Sequence, residues 1–172
     1  MKKIIIIGCP GSGKSTFSRE LSAITGIPIC HLDMLFWNED KTTVLKSVFL
    51  ERLTEVLKKD SWIIDGNFSS TMEQRMNICD TVVFLDYPAC ICLDGVEKRR
   101  GVKRPDMPWI ETEEDEEFTE FIKTFNVSRK PAILALLDKY TQKNIFVFKS
   151  REEADGFLSD LKCRYEVQNE NT

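Results

Sequence analysis

Residues 8–15 read Gly-Cys-Pro-Gly-Ser-Gly-Lys-Ser and match the spacing G-x-x-x-x-G-K-[ST] of a phosphate-binding loop. Its glycines allow the backbone to curl so that successive N–H groups point at an anion. Lys14 can reach the β- and γ-phosphate oxygens of a nucleotide, and the Ser15 hydroxyl can ligate Mg²⁺. The motif therefore predicts binding of a nucleoside triphosphate with Mg²⁺. The residues assigned to this site are Gly8, Pro10, Gly11, Ser12, Gly13, Lys14, Ser15 and Thr16.

The segments on either side of the loop must position it. Residues 3–7 form a β-branched apolar run, which is typical of a strand buried on both faces. Residues 16–24 place Phe17, Leu21 and Ile24 on one face of a helix. A strand, a glycine loop and a helix therefore follow one another, and the N-terminus of that helix adds its positive dipole end to the phosphate site.

Aspartates follow three further apolar runs that read as strands. These residues are Asp33, Asp65 and Asp86. In a parallel sheet, ligands bind outside the carboxyl ends of the strands. We expect Asp65 to complete the magnesium site through the water shell of the metal, and Asp33 to accept a proton or hydrogen bonds from an acceptor hydroxyl. Helix capping and turn formation remain alternatives for both residues, and Asp86 is expected only to end its strand.

A basic run at 98–104 has five Lys or Arg residues in seven positions, in the long segment between the fourth and fifth strands. It can be a mobile lid that brings Arg99, Arg100 or Arg104 over the triphosphate, a solvated surface, or a nucleic-acid patch. We favour the lid because an acidic run follows at 111–117. Arg129 is expected to add a second guanidinium from the far side of the site, and Arg75 to bind a phosphate or acid group of the acceptor.

Bulk composition describes one domain of 172 residues with an ordinary share of apolar residues, 42%. The net charge of −4 disfavours a protein whose main task is to coat nucleic acid or an anionic membrane. No apolar run approaches the length of a membrane span, and the N-terminus leads directly into a core strand, so we expect a cytoplasmic protein without a membrane partner. Of the six cysteines, Cys30, Cys79 and Cys90 lie in or beside apolar stretches and are interpreted as small buried hydrophobes. A zinc site is not expected, because the chain has a single histidine and no zinc-knuckle spacing.

Short apolar strands alternate with helical segments along the whole chain. This order predicts a three-layer α/β fold, with a parallel sheet covered by helices on both faces and right-handed crossovers between strands.

The chain resembles the nucleoside monophosphate kinase-like P-loop proteins, and within them the bacterial adenylate kinase-related, or DNA topology modulation (FlaR-like), family. The resemblance spans nearly the whole chain. The segments that carry it are 8–15, His31-Leu32-Asp33 with Trp37, 62–68 with Arg75, 84–86 and 148–151.

This resemblance implies a five-stranded parallel sheet in the order 2-3-1-4-5 and a kinase that uses ATP and Mg²⁺. It implies an acceptor-binding helical region at 34–60 and a helical lid at 96–130. It also places Ser150 and Arg151 beside the adenine. The acceptor would be a small molecule, contacted by Asp33, Trp37, Gly66, Asn67 and Arg75.

Two departures from the adenylate kinase pattern concern the acceptor. Those enzymes have Asp-Gly-Phe-Pro-Arg at the third strand, whereas this chain has Asp-Gly-Asn-Phe at 65–68. They also carry an arginine soon after the second strand, where this chain has the apolar segment 34–37. The acceptor is therefore not expected to be AMP. With an aspartate at position 33, the chain more closely resembles kinases of hydroxylated metabolites, such as shikimate and gluconate kinases.

Three functions follow from these observations. We favour a small-molecule kinase with ATP as the donor. The alternative is a nucleotide-dependent regulator that contacts DNA or a protein through 98–104, although direct DNA binding is not expected of this acidic chain. A plain ATPase is a third reading, but no residue that would orient water is evident.

Overall fold

The computed structural model, which describes the backbone of residues 1–170 and the side chains of residues 1–167, is built on five parallel strands. They are β1 (Lys3–Gly8), β2 (Ile29–His31), β3 (Trp62–Asp65), β4 (Thr81–Leu85) and β5 (Asn144–Phe148). Their order in the sheet is β2-β3-β1-β4-β5, which confirms the predicted P-loop topology. The carboxyl ends of β1, β2 and β3 therefore lie side by side.

Helices connect successive strands, and a last helix follows β5. They are α1 (Lys14–Thr25), α2 (Leu32–Phe36), α3 (Lys46–Leu57), α4 (Ser69–Ile78), α5 (Ala89–Arg99), α6 (Glu116–Ser128), α7 (Lys130–Lys139) and α8 (Arg151–Glu170). Within the described part of the chain, no helix combines the length and the apolar composition that crossing a membrane would need.

Strand β1 is buried on both faces, as its sequence predicts. Ile4, Ile5, Ile6 and Ile7 are each at most 1% exposed. Because successive side chains of a strand point to opposite faces, this pattern requires helices on both sides of the sheet.

Asp33 lies within a short helix instead of at the end of a strand. Strand β2 ends at His31, and α2 begins at the next residue. A turn at 38–42 and an antiparallel bridge between Trp37 and Thr43 then bring the chain back toward α3. The backbone of 37–43 is therefore held in a compact hairpin beside the carboxyl end of β2.

Only part of the predicted lid region lacks packing against the core. Helix α6 contributes Ile122 and Phe125 to the core, and it packs against α5 and α7. Between α5 and α6, residues 100–115 form no regular secondary structure. This segment is the part of 96–130 that can move without breaking core contacts.

Helix α5 lies directly against the phosphate-binding loop. A Cβ added to Gly95 of this helix would lie 2.1 Å from the carbonyl oxygen of Gly11, and one added to Gly11 would lie 2.0 Å from the carbonyl oxygen of Cys92. Only glycine at both positions allows this backbone contact. The loop is thereby wedged between β1 and α5.

Gly95→Ala is expected to lower the free energy of unfolding by about 1–3 kcal/mol and to weaken ATP binding, because α5 must move away from the loop. Gly156→Ala in α8 is the control, since a Cβ there meets nothing within 4 Å. That change should stabilise the protein by about 0.5–1 kcal/mol, as expected for Gly to Ala in an open helical position. Urea unfolding and calorimetric titration with ATP measure both effects, and equal behaviour of the two variants would contradict the contact.

Asp86 has a role that the sequence did not predict. Its carboxylate is buried, pairs with Lys130 at 2.8 Å, and accepts a hydrogen bond from Lys149. These partners tie the start of α7 and the end of β5 to the end of β4. Burial opposes ionisation of Asp86, but the two ammonium groups outweigh it and lower the pKa of this carboxyl below its ordinary value.

Asp86→Asn is expected to destabilise the protein by about 1–2 kcal/mol at pH 7. A carboxyl whose pKa is lower in the folded state stabilises the fold above its unfolded pKa, and that contribution is lost as pH falls through the folded pKa. The difference from wild type should therefore shrink as pH falls below about 4, measured by urea unfolding at a series of pH values. Asp94→Asn, at the exposed pair with Lys98, should cost under about 0.5 kcal/mol at any pH. A pH-independent loss in Asp86→Asn would contradict the ion-pair role.

Candidate active site

The phosphate-binding loop has the backbone conformation that its glycines permit. Gly13 adopts φ 92° and ψ 19°, in the left-handed region, directly before α1. The hydroxyl of Ser12 is buried and lacks a hydrogen-bond partner in the described structure. Pro10, Ser15 and Thr16 border the cavity described next.

In the described structure, the ammonium group of Lys14 forms hydrogen bonds only with its own loop. Its Nζ donates to the carbonyl oxygens of Gly8 at 3.0 Å and Cys9 at 3.1 Å. Burial lowers the pKa of Lys14, while the charges of Asp65 and Asp33 oppose this change. A dehydrated cation of this kind favours an incoming anion such as a phosphate.

A cavity of about 940 Å³ opens at the carboxyl ends of the strands, above the phosphate-binding loop. Its wall includes Lys14 from the loop, Asp33 from α2 and Asp65 from β3. Arg99, from the end of α5, also borders it, together with Arg104, Asp106 and Met107 of the segment after α5. The cavity therefore brings together residues that lie far apart in the sequence.

Asp65 is held by two neighbours at the end of β3. His31 Nδ1 lies 2.9 Å from one carboxylate oxygen and 3.0 Å from the other, and the Ser18 hydroxyl donates at 3.3 Å. Burial opposes protonation of His31, but the hydrogen bond and charge of Asp65 raise the pKa of this imidazole above its ordinary value. The pair fixes the Asp65 carboxylate at the rim of the phosphate site.

Asp33 faces the same cavity with a different environment. Burial raises the pKa of its carboxyl; Lys14 opposes this, and the neighbouring charges of Asp65 and Asp106 add to it. The side chain of Trp37 acts in the opposite direction and lowers the pKa of this carboxyl to a smaller extent. Asp33 is thus a partly accessible carboxylate whose affinity for a proton is increased by its surroundings.

Asn67 fastens the β3 loop to the phosphate-binding loop. Its Nδ2 donates to the carbonyl oxygen of Gly8 at 2.9 Å, and its Oδ1 accepts from the N–H of Gly8 at 3.1 Å. Asn67, with the neighbouring Gly66, also borders the cavity. The residue expected to contact the acceptor therefore positions the first residue of the phosphate-binding loop as well.

Arg75 does not line the cavity in the described structure. It is fully buried, and its guanidinium donates to the carbonyl oxygens of Gly66 at 3.0 Å and Phe68 at 3.2 Å, and also to that of Asn67. Burial lowers the pKa of Arg75 to about 10, so the group remains charged at neutral pH. The structure thus places Arg75 beneath the β3 loop as a support, away from the position expected for an acceptor contact.

The lid segment, which is residues 100–115 of the predicted lid, and the end of α5 before it carry arginines that form ion pairs with carboxylates. Arg99 pairs with Glu111 at 3.1 Å, and its guanidinium lies 5.9 Å from the ring centroid of Phe118. Arg104 bridges Glu111 at 3.0 Å and Asp106 at 2.9 Å. Arg100, paired with Glu97 at 2.8 Å, borders the cavity too.

Asp106 is a site residue that the sequence reasoning missed. It is buried, and its carboxylate accepts a hydrogen bond from Ser15 Oγ at 3.0 Å. No motif signals it, because its partner lies 91 residues away in the chain. The hydroxyl assigned to Mg²⁺ is therefore in contact with the lid segment.

Three further predicted residues lie at or beyond the edge of the site. Arg151 borders the cavity and donates to the carbonyl oxygen of Ile91 at 3.4 Å. Ser150 caps the start of α8 by accepting from the N–H of Glu153 at 3.3 Å. Arg129 is exposed, with its guanidinium 5.5 Å from the ring centroid of Phe121, outside the cavity.

The oxygen donors around Ser15 fit a magnesium ion that enters with a nucleotide. Ser15, Asp65 and Asp106 border one cavity. In the part of the chain that the structure describes, no group of three or more His, Cys, Asp or Glu side chains could hold a metal alone. Mg²⁺ commonly uses one or two protein ligands and completes its shell with phosphate oxygens and water.

Comparison with known proteins finds similarity to kinases in both sequence and structure. No family model matches the chain. The adenylate kinase of Thermosipho melanesiensis is 28% identical over 119 residues, which cover 65% of this chain and 54% of that enzyme. The chain thus spans about half the length of this curated relative.

Two solved structures share the fold over nearly their whole length. Shikimate kinase from Acinetobacter baumannii, in complex with shikimate, superposes with a TM-score of 0.59 at 15% identity, covering 98% of this chain and 94% of that one. Shikimate kinase from Bacteroides thetaiotaomicron gives a TM-score of 0.53 at 23% identity, covering 95% and 97%. The chain thus shares the fold of these P-loop kinases. Membership of the nucleoside monophosphate kinase-like superfamily, and of the FlaR-like family within it, stays a prediction.

Arg75→Met is expected to lower the free energy of unfolding by about 2–4 kcal/mol, because the carbonyl groups of 66–68 lose a buried charged donor. Arg129→Met removes an exposed guanidinium of the same size and should cost less than about 1 kcal/mol. Urea unfolding of both variants measures the difference. Equal stability losses would contradict the supporting role of Arg75.

Proposed function

We propose that this protein is an ATP-dependent kinase that transfers the γ-phosphoryl group of ATP to a hydroxyl of a small molecule. The observation that supports this most directly is the meeting of Lys14, Asp33 and Asp65 in one cavity, where both carboxylates act electrostatically on the ammonium group. A donor phosphate and an acceptor hydroxyl can be positioned together at such a site, and positioning supplies much of the rate in phosphoryl transfer.

The donor half of the proposed site is the loop at 8–16. Lys14 would exchange its carbonyl partners for phosphate oxygens, which bind an ammonium group more strongly because they are charged. Ser15 and Asp65 would hold Mg²⁺, which when bound neutralises charge that develops on the transferred group. We place the adenine on the side of Ser150 and Arg151.

We assign to Asp33 the role of accepting the proton of the acceptor hydroxyl. The acceptor oxygen forms a bond to the γ-phosphorus, the bond from that phosphorus to the bridging oxygen of ADP breaks, and the hydroxyl proton passes to Asp33. The raised pKa of the Asp33 carboxyl makes its ionised form a stronger base than an exposed aspartate. The acceptor itself would lie between residues 34–60 and the loop after β3, near Trp37, Gly66 and Asn67.

We assign closure over the triphosphate to residues 100–115. Arg99 precedes this segment, Arg100 begins it, and both border the cavity. On ATP binding they would exchange the carboxylates of Glu111 and Glu97 for phosphate oxygens. Arg129 is left out of this assignment because its guanidinium lies on Phe121, outside the cavity.

The alternative of a regulator that contacts DNA through 98–104 has no observation in its favour. Four of the five basic residues in this run are paired with carboxylates, namely Lys98, Arg99, Arg100 and Arg104. Such a surface offers little net positive charge to a phosphate backbone.

Lys14→Met and Asp33→Asn separate the two halves of the proposed reaction. Phosphoryl transfer from ATP to a panel of nucleosides, nucleoside monophosphates and hydroxylated metabolites is measured by ³¹P NMR. Lys14→Met should reduce both ATP affinity and transfer, the latter by about 10²–10³-fold. Asp33→Asn should reduce kcat by about 10²–10⁴-fold while ATP affinity stays close to wild type.

Lys58→Met is the matched control for the lysine, because Lys58 forms an exposed pair with Glu55 on α3. It should leave transfer unchanged. Normal ATP binding with no phosphorylated product from any member of the panel would overturn the kinase proposal. Wild-type kcat in Asp33→Asn would remove Asp33 from its assigned role.

A further inference from the structure

Aromatic side chains form the wall of the cavity on its acceptor side. Trp37, after α2, and Trp109, in the lid segment, both line the cavity and are both partly exposed. Their rings meet edge to face, with centroids 5.2 Å apart and an interplanar angle of 88°. Phe68 borders the cavity as well, and its ring lies 5.1 Å from that of Phe36. Such a wall favours a planar ring, because aromatic stacking tolerates many different heterocycles.

The aromatic wall is linked directly to the proposed proton acceptor. Trp37 and Asp33 border the same cavity, and the backbone N–H of Trp37 donates to the carbonyl oxygen of Asp33 at 3.0 Å. A ring that packs against Trp37 would therefore hold a hydroxyl on an attached non-aromatic group beside Asp33. The acceptor that fits this geometry carries both a planar ring and a hydroxyl.

The charges on this side of the cavity disfavour an anionic acceptor. Asp33, Asp65 and Asp106 border it, whereas Arg104 is held between Asp106 and Glu111. Four of the other cations that border the cavity are assigned to ATP above, namely Lys14, Arg99, Arg100 and Arg151. The rest are Lys98, which pairs with Asp94; Arg19, which lies 3.9 Å from Asp106 and donates to Thr16; and Lys41, which is exposed at the rim.

Arg75, which the sequence offered for an acid group of the acceptor, is committed to the carbonyl groups of 66–68. A phosphate or carboxylate on the acceptor would thus lack a buried cationic partner and would face several carboxylates. An uncharged acceptor avoids both costs.

We propose that the acceptor is an uncharged molecule of the nucleoside class, with its base against Trp37 and Trp109 and a sugar hydroxyl at Asp33. This inference rests on the proposed kinase function for its chemistry, since the hydroxyl is the group that receives the phosphoryl. Binding of the base, however, can be measured without turnover.

The test compares each nucleoside with its own 5′-monophosphate by calorimetry. Adenosine, guanosine and thymidine are paired with AMP, GMP and TMP, and shikimate serves as a hydroxylated acid without an aromatic ring. A non-hydrolysable ATP analogue and Mg²⁺ are kept saturating, so that the donor site is closed to these probes. At least one nucleoside should bind about tenfold or more tightly than its monophosphate. Binding of a monophosphate or of shikimate as tightly as any nucleoside, or no binding of any nucleoside, would overturn the inference.

Substitutions of Trp109 test the contribution of the ring. Trp109→Leu should weaken nucleoside binding about tenfold, whereas Trp109→Phe should retain most of it. A wild-type midpoint of urea unfolding in both variants establishes that they are folded. Equal nucleoside affinity in wild type and Trp109→Leu would show that the lid tryptophan does not contact the base.

Phosphoryl transfer is followed in the same samples with ATP in place of the analogue, and it separates this inference from the kinase proposal. Phosphorylation of a monophosphate or of shikimate in preference to nucleosides supports the kinase and overturns the nucleoside acceptor. Tight nucleoside binding without any transfer supports the binding site for the base and overturns the kinase.

Discussion

A cation without an anionic hydrogen-bond partner lies at the centre of this structure. The ammonium group of Lys14 is partly buried at the wall of the cavity and is held by the carbonyl oxygens of Gly8 and Cys9. Burying a charge in this way is costly unless partners compensate for it. The carboxylates of Asp33 and Asp65 provide part of that compensation from adjacent strand ends. In the proposed function, the phosphate of a nucleotide would provide the rest. For this, the backbone of the phosphate-binding loop must be held in place.

That fixation comes from two elements on opposite sides of the loop. Asn67 forms reciprocal hydrogen bonds with Gly8, and Gly95 of α5 allows the helix to contact the backbone of Gly11. Arg75 in turn holds the backbone of Asn67, because its guanidinium donates a hydrogen bond to the carbonyl oxygen of that residue. A residue that looks suited to bind an acid group thus stabilises the loop that binds phosphate.

The similarity to shikimate kinases concerns the fold, and it does not identify the acceptor. A shared sheet and phosphate-binding loop describe where the donor can bind, but one fold can serve many acceptors. Here the acceptor side combines Asp33 with Trp37 and Trp109, and its arginines are paired with carboxylates. In the proposed kinase, acceptor choice would therefore depend on Asp33, Trp37 and Trp109, which lie outside the phosphate motif.

The sequence by itself determined the sheet and the position of the phosphate-binding loop, because both depend on local patterns. The isoleucine run of β1 and the spacing of residues 8–15 carry their information within a few residues. The tertiary structure alone decided that Arg75 supports the loop after β3, that Asp106 contacts Ser15 and that Asp86 joins β4, β5 and α7. Each of these outcomes depends on partners brought together by folding, and a charged side chain looks the same in a sequence whether it meets a ligand, a carbonyl group or another charge.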